Sequence, residues 1–396
     1  MAWTNVLLTD QTGDNIGELS NVYDRSISWR AKRVTTQHFS VRLDDPLADR
    51  LLAGDLLVKS YNDQWGTDPA FVGEITDVEE IVNEQTKRIG VTCQDGTFRL
   101  TDRLVGKDLR VDGTPLGLDY SGPDVGGPQD RSVVLQRELE YINLQSDTGV
   151  RIGTVQPSGT DYIGPYYFKP FMEMLQEFSA ALDGPYWELE PVEPHADTFL
   201  VWGGGPFPGF TIGTLHLYAS KGTVKQHAVF AYSDHEDDRA NVKDYRRTIT
   251  KQGMLNTAYS LPPGFPDVSA GKVLTWNDAP SRARWRWREG VVPGDLVSDD
   301  MRLALTQQHV AVRRNPRETI VVGGLLPEDL TAIANEGRPR PYVPRFKIDY
   351  DVADVVPFRA TVSGQTRFDG YVRVYGVDLA IDENGLETPT LSLTPE

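Results

Sequence analysis

The chain has 396 residues, 57 acidic and 40 basic, for a formal net charge of −17. That length predicts two to three domains, and 39% hydrophobic against 24% charged residues excludes a disordered chain and supplies a sizeable core. The acidic balance argues against an electrostatic nucleic-acid binder, whose surface must be net basic. One cysteine, Cys93, excludes a disulfide framework and any Cys-based zinc site. In the alternation Ile89-Gly90-Val91-Thr92-Cys93 it reads as an inert core thiol. The N-terminus has no basic leader and there is no 18-residue apolar run, so neither a signal peptide nor a membrane span is expected. Synthesis and folding in a cytosol follow as expectations.

With 36 Gly and 26 Pro and no collagen-like period, the composition predicts many turns between short strands. Ile27-Ser28-Trp29 and His38 to Leu43 alternate as half-buried strands do. A helical turn, Pro46 to Leu52, ends at Gly54, and strands are predicted from Asp55 to Tyr61, Ala70 to Val82 and Lys87 to Cys93. Residues 106–130 turn rich in Gly, Pro and Asp and mark a domain boundary. Helices are predicted over Ser132–Gln145 and Pro170–Leu182, the second with an apolar stripe through Phe171, Leu175 and Phe178 and with Gly184 beyond its end. Strands resume at Tyr186–Glu190 and Thr214–Tyr218. A third section opens near Val229 and holds a helix, Ser298–Arg314, with Ser298 as its cap and Pro316 as its stop. Strands then run over Thr319–Val322, Phe346–Asp351, Val355–Val362, Tyr371–Ile381 and Thr390–Thr394.

The two ends echo each other. Asp55 to Ile75 spans the same 20 residues as Asp354 to Val374, and Ile75 to Val91 spans 16 against 17 for Val374 to Leu391. Two unrelated three-stranded meanders would also match at this level; the other reading is two copies of one small barrel around a middle domain.

Features that carry chemistry are weak. Asp234-His235-Glu236-Asp237-Asp238 spaces its acids as a calcium loop does, but Arg239 stands where that loop needs Gly and Tyr245 where it needs Glu. A solvated acidic turn is the better reading. The six histidines show no metal-ligand spacing. Gly203-Gly204-Gly205-Pro206-Phe207-Pro208-Gly209 lacks the Lys-Ser/Thr of a phosphate loop and reads as a tight loop between strands. No catalytic, cofactor-binding or metal-ligating residue is therefore assigned, and no cofactor is expected. The sharpest feature is Arg282-Ala283-Arg284-Trp285-Arg286-Trp287-Arg288-Glu289. As an extended strand it places four arginines on one face and Ala283, Trp285 and Trp287 on the other. It is either a polyanion strip with aromatic platforms or a half-buried strand whose arginines meet acids of this chain or a neighbouring subunit. At −17 the acids are plentiful, so Arg282, Arg284, Trp285, Arg286, Trp287 and Arg288 are candidate subunit-interface residues.

Several stretches together resemble one family. Trp29-Arg30, Phe39-Ser40-Val41-Arg42-Leu43-Asp44-Asp45-Pro46, Gly54-Asp55 and Phe71-Val72-Gly73-Glu74-Ile75 look like the first barrel of the tail-tip (baseplate) hub proteins of long-tailed bacteriophages, the minor tail proteins of actinobacterial phages. Asp278-Ala279-Pro280-Ser281 with Trp287-Arg288-Glu289 is similar to a stretch of that family's third section, although Arg286 and Trp287 stand where an aromatic-Gly pair is usual. Asp354-Val355-Val356 and Arg373-Val374-Tyr375-Gly376-Val377 match its closing strands. The resemblance implies a mainly β, α+β fold: a tube-type barrel over residues 1–105, an α+β middle domain over 106–228, and a second tube-type barrel with one helix over 229–396. It also implies a structural virion protein without enzymatic activity, made in the host cytoplasm. The expected assembly is a homotrimer whose six barrels meet a hexameric distal tail protein ring. The tape measure protein and other minor tail proteins are expected partners, and phage DNA crosses the channel during ejection without specific binding. A hexameric distal tail protein is the alternative within that class, disfavoured by the echo. A cell-wall glycan-binding or glycan-hydrolysing tail protein is the alternative outside it, disfavoured because the sequence stops at Glu396, directly after the last strand.

Overall fold

The computed structural model describes residues 3, 6–20, 22–53, 56–82, 87–105, 129–161, 169–180, 183–200, 206–234, 240–262, 271–292, 299–325, 342–382, 385 and 387–396. The N-terminal part is a row of strands: β1 (Leu7–Thr9), β2 (Asn15–Glu18), β3 (Val22–Arg30), β4 (Thr36–Arg42), β5 (Leu57–Ser60), β6 (Phe71–Val82) and β7 (Lys87–Asp95), with helix α1 (Ala48–Ala53) between β4 and β5. Their alternation sorts the side chains. In β3, Arg25, Ile27 and Trp29 are buried while Asp24 is exposed. Asp95 ends β7 by accepting the Thr97 N–H at 3.0 Å, which starts a 3₁₀ turn over Gly96–Leu100.

The middle part holds β8 (Leu104–Val105), α2 (Arg131–Gln145), β9 (Val150–Val155), β10 (Lys169–Pro170), α3 (Phe171–Ala180), β11 (Tyr186–Leu200) and β12 (Pro206–Tyr218). Asp130 caps α2 by accepting the Ser132 N–H at 2.8 Å. Both helices turn their apolar stripes into a separate core of Val134, Leu139, Phe171, Leu175, Trp187 and Leu215. Residues 106–128 of the expected boundary, and Leu182, lie outside the described residues. The hairpin β11–β12 runs far past the two short strands that alternation shows, with a register shift between Pro191 and His195. Pro206 to Gly209 belong to β12 rather than to a tight loop; Gly203 to Gly205 are not described.

The C-terminal part comprises β13 (Phe230–Ser233), β14 (Val242–Thr250), β15 (Thr257–Ser260), β16 (Leu274–Asn277), α4 (Ala279–Trp285), β17 (Glu289–Val292), α5 (Asp299–Ala311), β18 (Arg317–Leu325), β19 (Val355–Val362), β20 (Gln365–Ile381) and β21 (Glu387–Pro395). The expected cap of α5, Ser298, is not described. Phe346–Asp351 is not the strand its alternation predicts. Lys347 takes a φ of 65° and its N–H reaches Tyr350 O at 2.8 Å, so a tight turn brings Phe346 and Tyr350 into the core and leaves Ile348 outside.

One thirteen-stranded sheet carries both ends of the chain, in the order β19-β13-β14-β18-β21-β20-β3-β4-β7-β6-β5-β1-β2. A further β19–β20 pairing closes the six strands from β19 to β20 into a circuit. The molecule is thus mainly β with helices added. A single core runs from Trp3 to Leu393. Trp29 and Trp65 from the N-terminal part and Phe346 from the C-terminal part form a triangle with ring centroids 5.1 to 5.7 Å apart.

The echo has a structural counterpart. The order β3-β4-β7-β6-β5 repeats as β14-β18-β21-β20-β19. Each set carries a β-bulge at the same place. Ile75 faces Cys93 and Asp77 faces Thr92, skipping Thr76. Val374 faces Leu393 and Gly376 faces Ser392, skipping Tyr375. Ile75 and Val374 are the residues that the 20-residue spacing puts in register. Unrelated meanders have no reason to share both a strand order and a bulge position.

Candidate assembly surface

The arginine and tryptophan run lies in an insert between β14 and β18. There β15, β16 and β17 form a small sheet in the order β16-β15-β17, with α5 packed on it. Leu255, Ala258, Val292 and Val310 make its apolar contact. Buried Arg302 locks α5 in place by donating to Ser260 O at 2.7 Å and Lys272 O at 2.9 Å and pairing with Asp299 at 2.9 Å. That ion pair matches the charge of the buried Arg302 guanidinium.

The expected strand over Arg282–Glu289 is replaced by a helix and a sharp turn. Asp278 accepts the Ser281 N–H at 2.8 Å, and Pro280 stands in the first turn, so Asp278-Ala279-Pro280-Ser281 starts a helix. α4 runs to Trp285 and stops at Arg286, whose φ of 64° no helix can continue. The side chain of Asp278 also holds Arg314 at 3.0 Å, and both contacts keep its carboxyl below the usual carboxylate range, the Ser281 N–H foremost. The four arginines therefore share no face. Instead the chain folds back on itself: the Arg282 guanidinium sits 3.6 Å from the Trp287 ring centroid. Arg284 and Lys251 lie 4.7 and 5.2 Å from that of Trp285.

Asn256, a residue that alternation does not single out, organises the turn. It is fully buried, donates to Arg286 O at 2.7 Å and accepts the Arg288 N–H at 2.8 Å, while its own N–H reaches Arg288 O at 3.0 Å. Its only sequence signal is an amide in the otherwise closely packed run Leu255-Asn256-Thr257-Ala258. The result is a rigid ridge. Trp287 is 55% exposed, and Trp276 and Val291 also face out. Apolar rings carrying stacked guanidinium groups suit a partner that offers both carboxylates and apolar surface.

Other candidates are structural. Cys93 is buried, and burial pushes its thiol pKa up, away from any nucleophilic role. His216 accepts the Thr154 N–H at 3.0 Å and faces Glu190 at 2.9 Å. The Asp234 carboxylate accepts the Ser363 N–H at 2.8 Å and so fixes the β19–β20 turn, while residues 235–239 are not described. Among the described residues no group of three or more His, Cys, Asp or Glu could hold a metal ion. No described helix is long and apolar enough to cross a membrane.

No protein-family model and no curated protein matches the chain. Solved structures do. A tail protein from Neisseria meningitidis superimposes with a TM-score of 0.55 at 12% identity, over 100% of this chain and 97% of its own. The 43 kDa tail protein of prophage MuSo2 from Shewanella oneidensis gives 0.54 at 11% identity, over 99% and 98%. A prophage tail protein from Listeria monocytogenes gives 0.53 at 9% identity, over 99% and 95%. What the chain shares with these tail proteins is the fold, from one end to the other.

Proposed function

We propose that this chain is a structural protein of a bacteriophage tail: the trimeric hub at the distal end, of the actinobacteriophage minor-tail type. The observation that carries the reading is the end-to-end match in fold to three tail proteins of nearly the same length. The repeated strand order and shared bulge support its finer part, in which residues 1–105 and 229–396 each form a tube-type barrel; residues 106–228 then decorate the outside of the ring or narrow the channel below it. Three subunits then supply six similar units around one axis, a match for a hexameric distal tail protein ring above. The tape measure protein and other minor tail proteins are the remaining partners. The ridge around Arg282, Arg284, Trp285, Arg286, Trp287 and Arg288 is assigned to a protein contact. In this reading acids line the bore and repel DNA phosphates, so the genome passes without sticking, and no catalysis is required of the chain.

Mass measurement of the purified protein tests the reading. Three copies of the 44.2 kDa chain, about 133 kDa, are expected for a closed ring. A stable six-copy particle would favour a distal tail protein instead. A monomer at every concentration, or one that cleaves peptidoglycan, would overturn the hub.

A further inference from the structure

Among the described residues one strand pair joins the sheets of the two halves of the chain. β3 runs antiparallel along the end of β20, from Arg25 opposite Ile381 to Arg30 opposite Gly376. Applying the repeat to this junction identifies a second pair of edges. Beyond its bulge, β20 corresponds to Asp77–Val82 of β6. β3 corresponds to β14: Ile27 faces Gln37, which faces Cys93, just as Arg247 faces Ile320, which faces Leu393.

Both of these edges are open among the described residues. Past Glu74, β6 pairs only with β7; past Val242, β14 pairs only with β18. At the internal junction Val377 and Trp29 are buried against each other's strands. Their counterparts are Val78 and Ile249, and Ile249 is 55% exposed; further along, Val82 is 58% exposed where Ile381 is buried. An open edge ordinarily carries charge to deter pairing, and here the two edges carry opposite charge. Asp77, Glu79 and Glu80 lie on one, Arg246 and Arg247 on the other, where Arg247 also pairs with Glu318 of β18 at 2.6 Å. At the internal junction Asp378 accepts the Ser28 hydroxyl at 2.6 Å; the equivalent residues are Glu79 and Thr248, again an acid and a hydroxyl.

We propose that β6 of one subunit adds antiparallel to β14 of a second copy of this chain, continuing the sheet from subunit to subunit. The register follows from the internal junction: Asp77 opposite Thr250, Val78 opposite Ile249, Glu79 opposite Thr248, Glu80 opposite Arg247. The contact is heterologous, so it closes only as a ring. Where the internal junction sets Leu379 against Ile27, this one sets Glu80 against Arg247, and that charge pair separates subunit contacts from the internal one. The proposal rests on the ring reading for its copy number and on the repeat for its residues.

Engineered cross-links test it. The double variant Glu79→Cys/Thr248→Cys, oxidised in its native assembly, is expected to give covalent dimers and a closed covalent trimer. Buried Cys93 stays out of the reaction. Mixing the two single variants should give dimers only. The register control Glu79→Cys/Thr250→Cys should cross-link at least fivefold less. Glu80→Lys, which sets like charges opposite each other, should weaken assembly at least tenfold with the circular dichroism of the subunit unchanged. A particle of unchanged mass that fails to cross-link in this register, or cross-links equally in the control, overturns the strand pairing and leaves the ring standing. Covalent chains that never close support the pairing and refute a three-membered ring. A chain that stays monomeric refutes both.

Discussion

Asp95 sits fully inside the protein, where its carboxylate accepts the Thr35 N–H at 2.7 Å and the Thr97 N–H at 3.0 Å. Burial nevertheless outweighs those bonds and pushes its pKa up to about 6, from 3.8. A raised value means that the folded state holds the proton more tightly than the unfolded chain. The corresponding stabilisation is complete below pH 4 and is lost as pH rises through 6. A shift of about two units corresponds to roughly 3 kcal/mol at most. Denaturant titrations from pH 4 to 7 should therefore show a loss of stability in the parent that is flattened in Asp95→Asn. A difference between the two that stays constant with pH would contradict the assignment. Asp278 offers a second test at this scale. Asp278→Ala removes the α4 cap and frees Arg314, which should cost about 1 kcal/mol and alter the emission of Trp285 and Trp287. The core role of Cys93 was legible from its place in an alternating run. The role of Asn256 was not, because its partners are backbone groups 30 and 32 residues away.

At the scale of elements, periodicity found what periodicity governs. α2, α3 and α5 follow from their apolar spacing, and β5 to β7 and β19 to β21 from alternation and punctuation. It failed where local chemistry overrides the pattern. Arg282–Glu289 alternates like a strand, yet the Asp278 cap and Pro280 start a helix ahead of it and Arg286 ends that helix. Phe346, Ile348 and Tyr350 alternate as well, but in a turn. The long β11–β12 hairpin was hidden by its prolines, which edge positions and irregular pairing tolerate. The β3–β20 junction joins residues some 350 apart and leaves no local trace. The spacing of the echo left two readings open, and it is the shared strand order and bulge, at Ile75 and Val374, that favour the repeat. Close approach around β6 gives a prediction. A Cβ at Gly73 would stand 2.2 Å from Gln94 O on β7 and 2.5 Å from the Phe71 ring. Gly73→Ala should then destabilise the fold by about 2–4 kcal/mol, read from the urea midpoint. The exposed ridge behaves in the opposite way. Arg284→Glu with Trp287→Ala should leave stability within about 1 kcal/mol of the parent and weaken assembly at least tenfold, measured by sedimentation.

For the whole molecule, the charge of −17 first argues against a role, that of an electrostatic nucleic-acid binder, whose surface must be net basic. The repeat gives the same charge a constructive place. Two five-strand sets share an order and a bulge, and their junction inside one chain is the pattern for the junction proposed between chains. In the proposed ring the acidic excess is tripled around an axis, which suits a conduit that polyanionic DNA crosses without binding. The central claim is that three copies form a ring of six similar units, and two-dimensional class averages of the purified particle test it most directly. Six lobes around an open channel, alternating in outline so that the true symmetry is threefold, is the predicted image. Six identical lobes from six copies, or compact particles of a single chain without a channel, would contradict it.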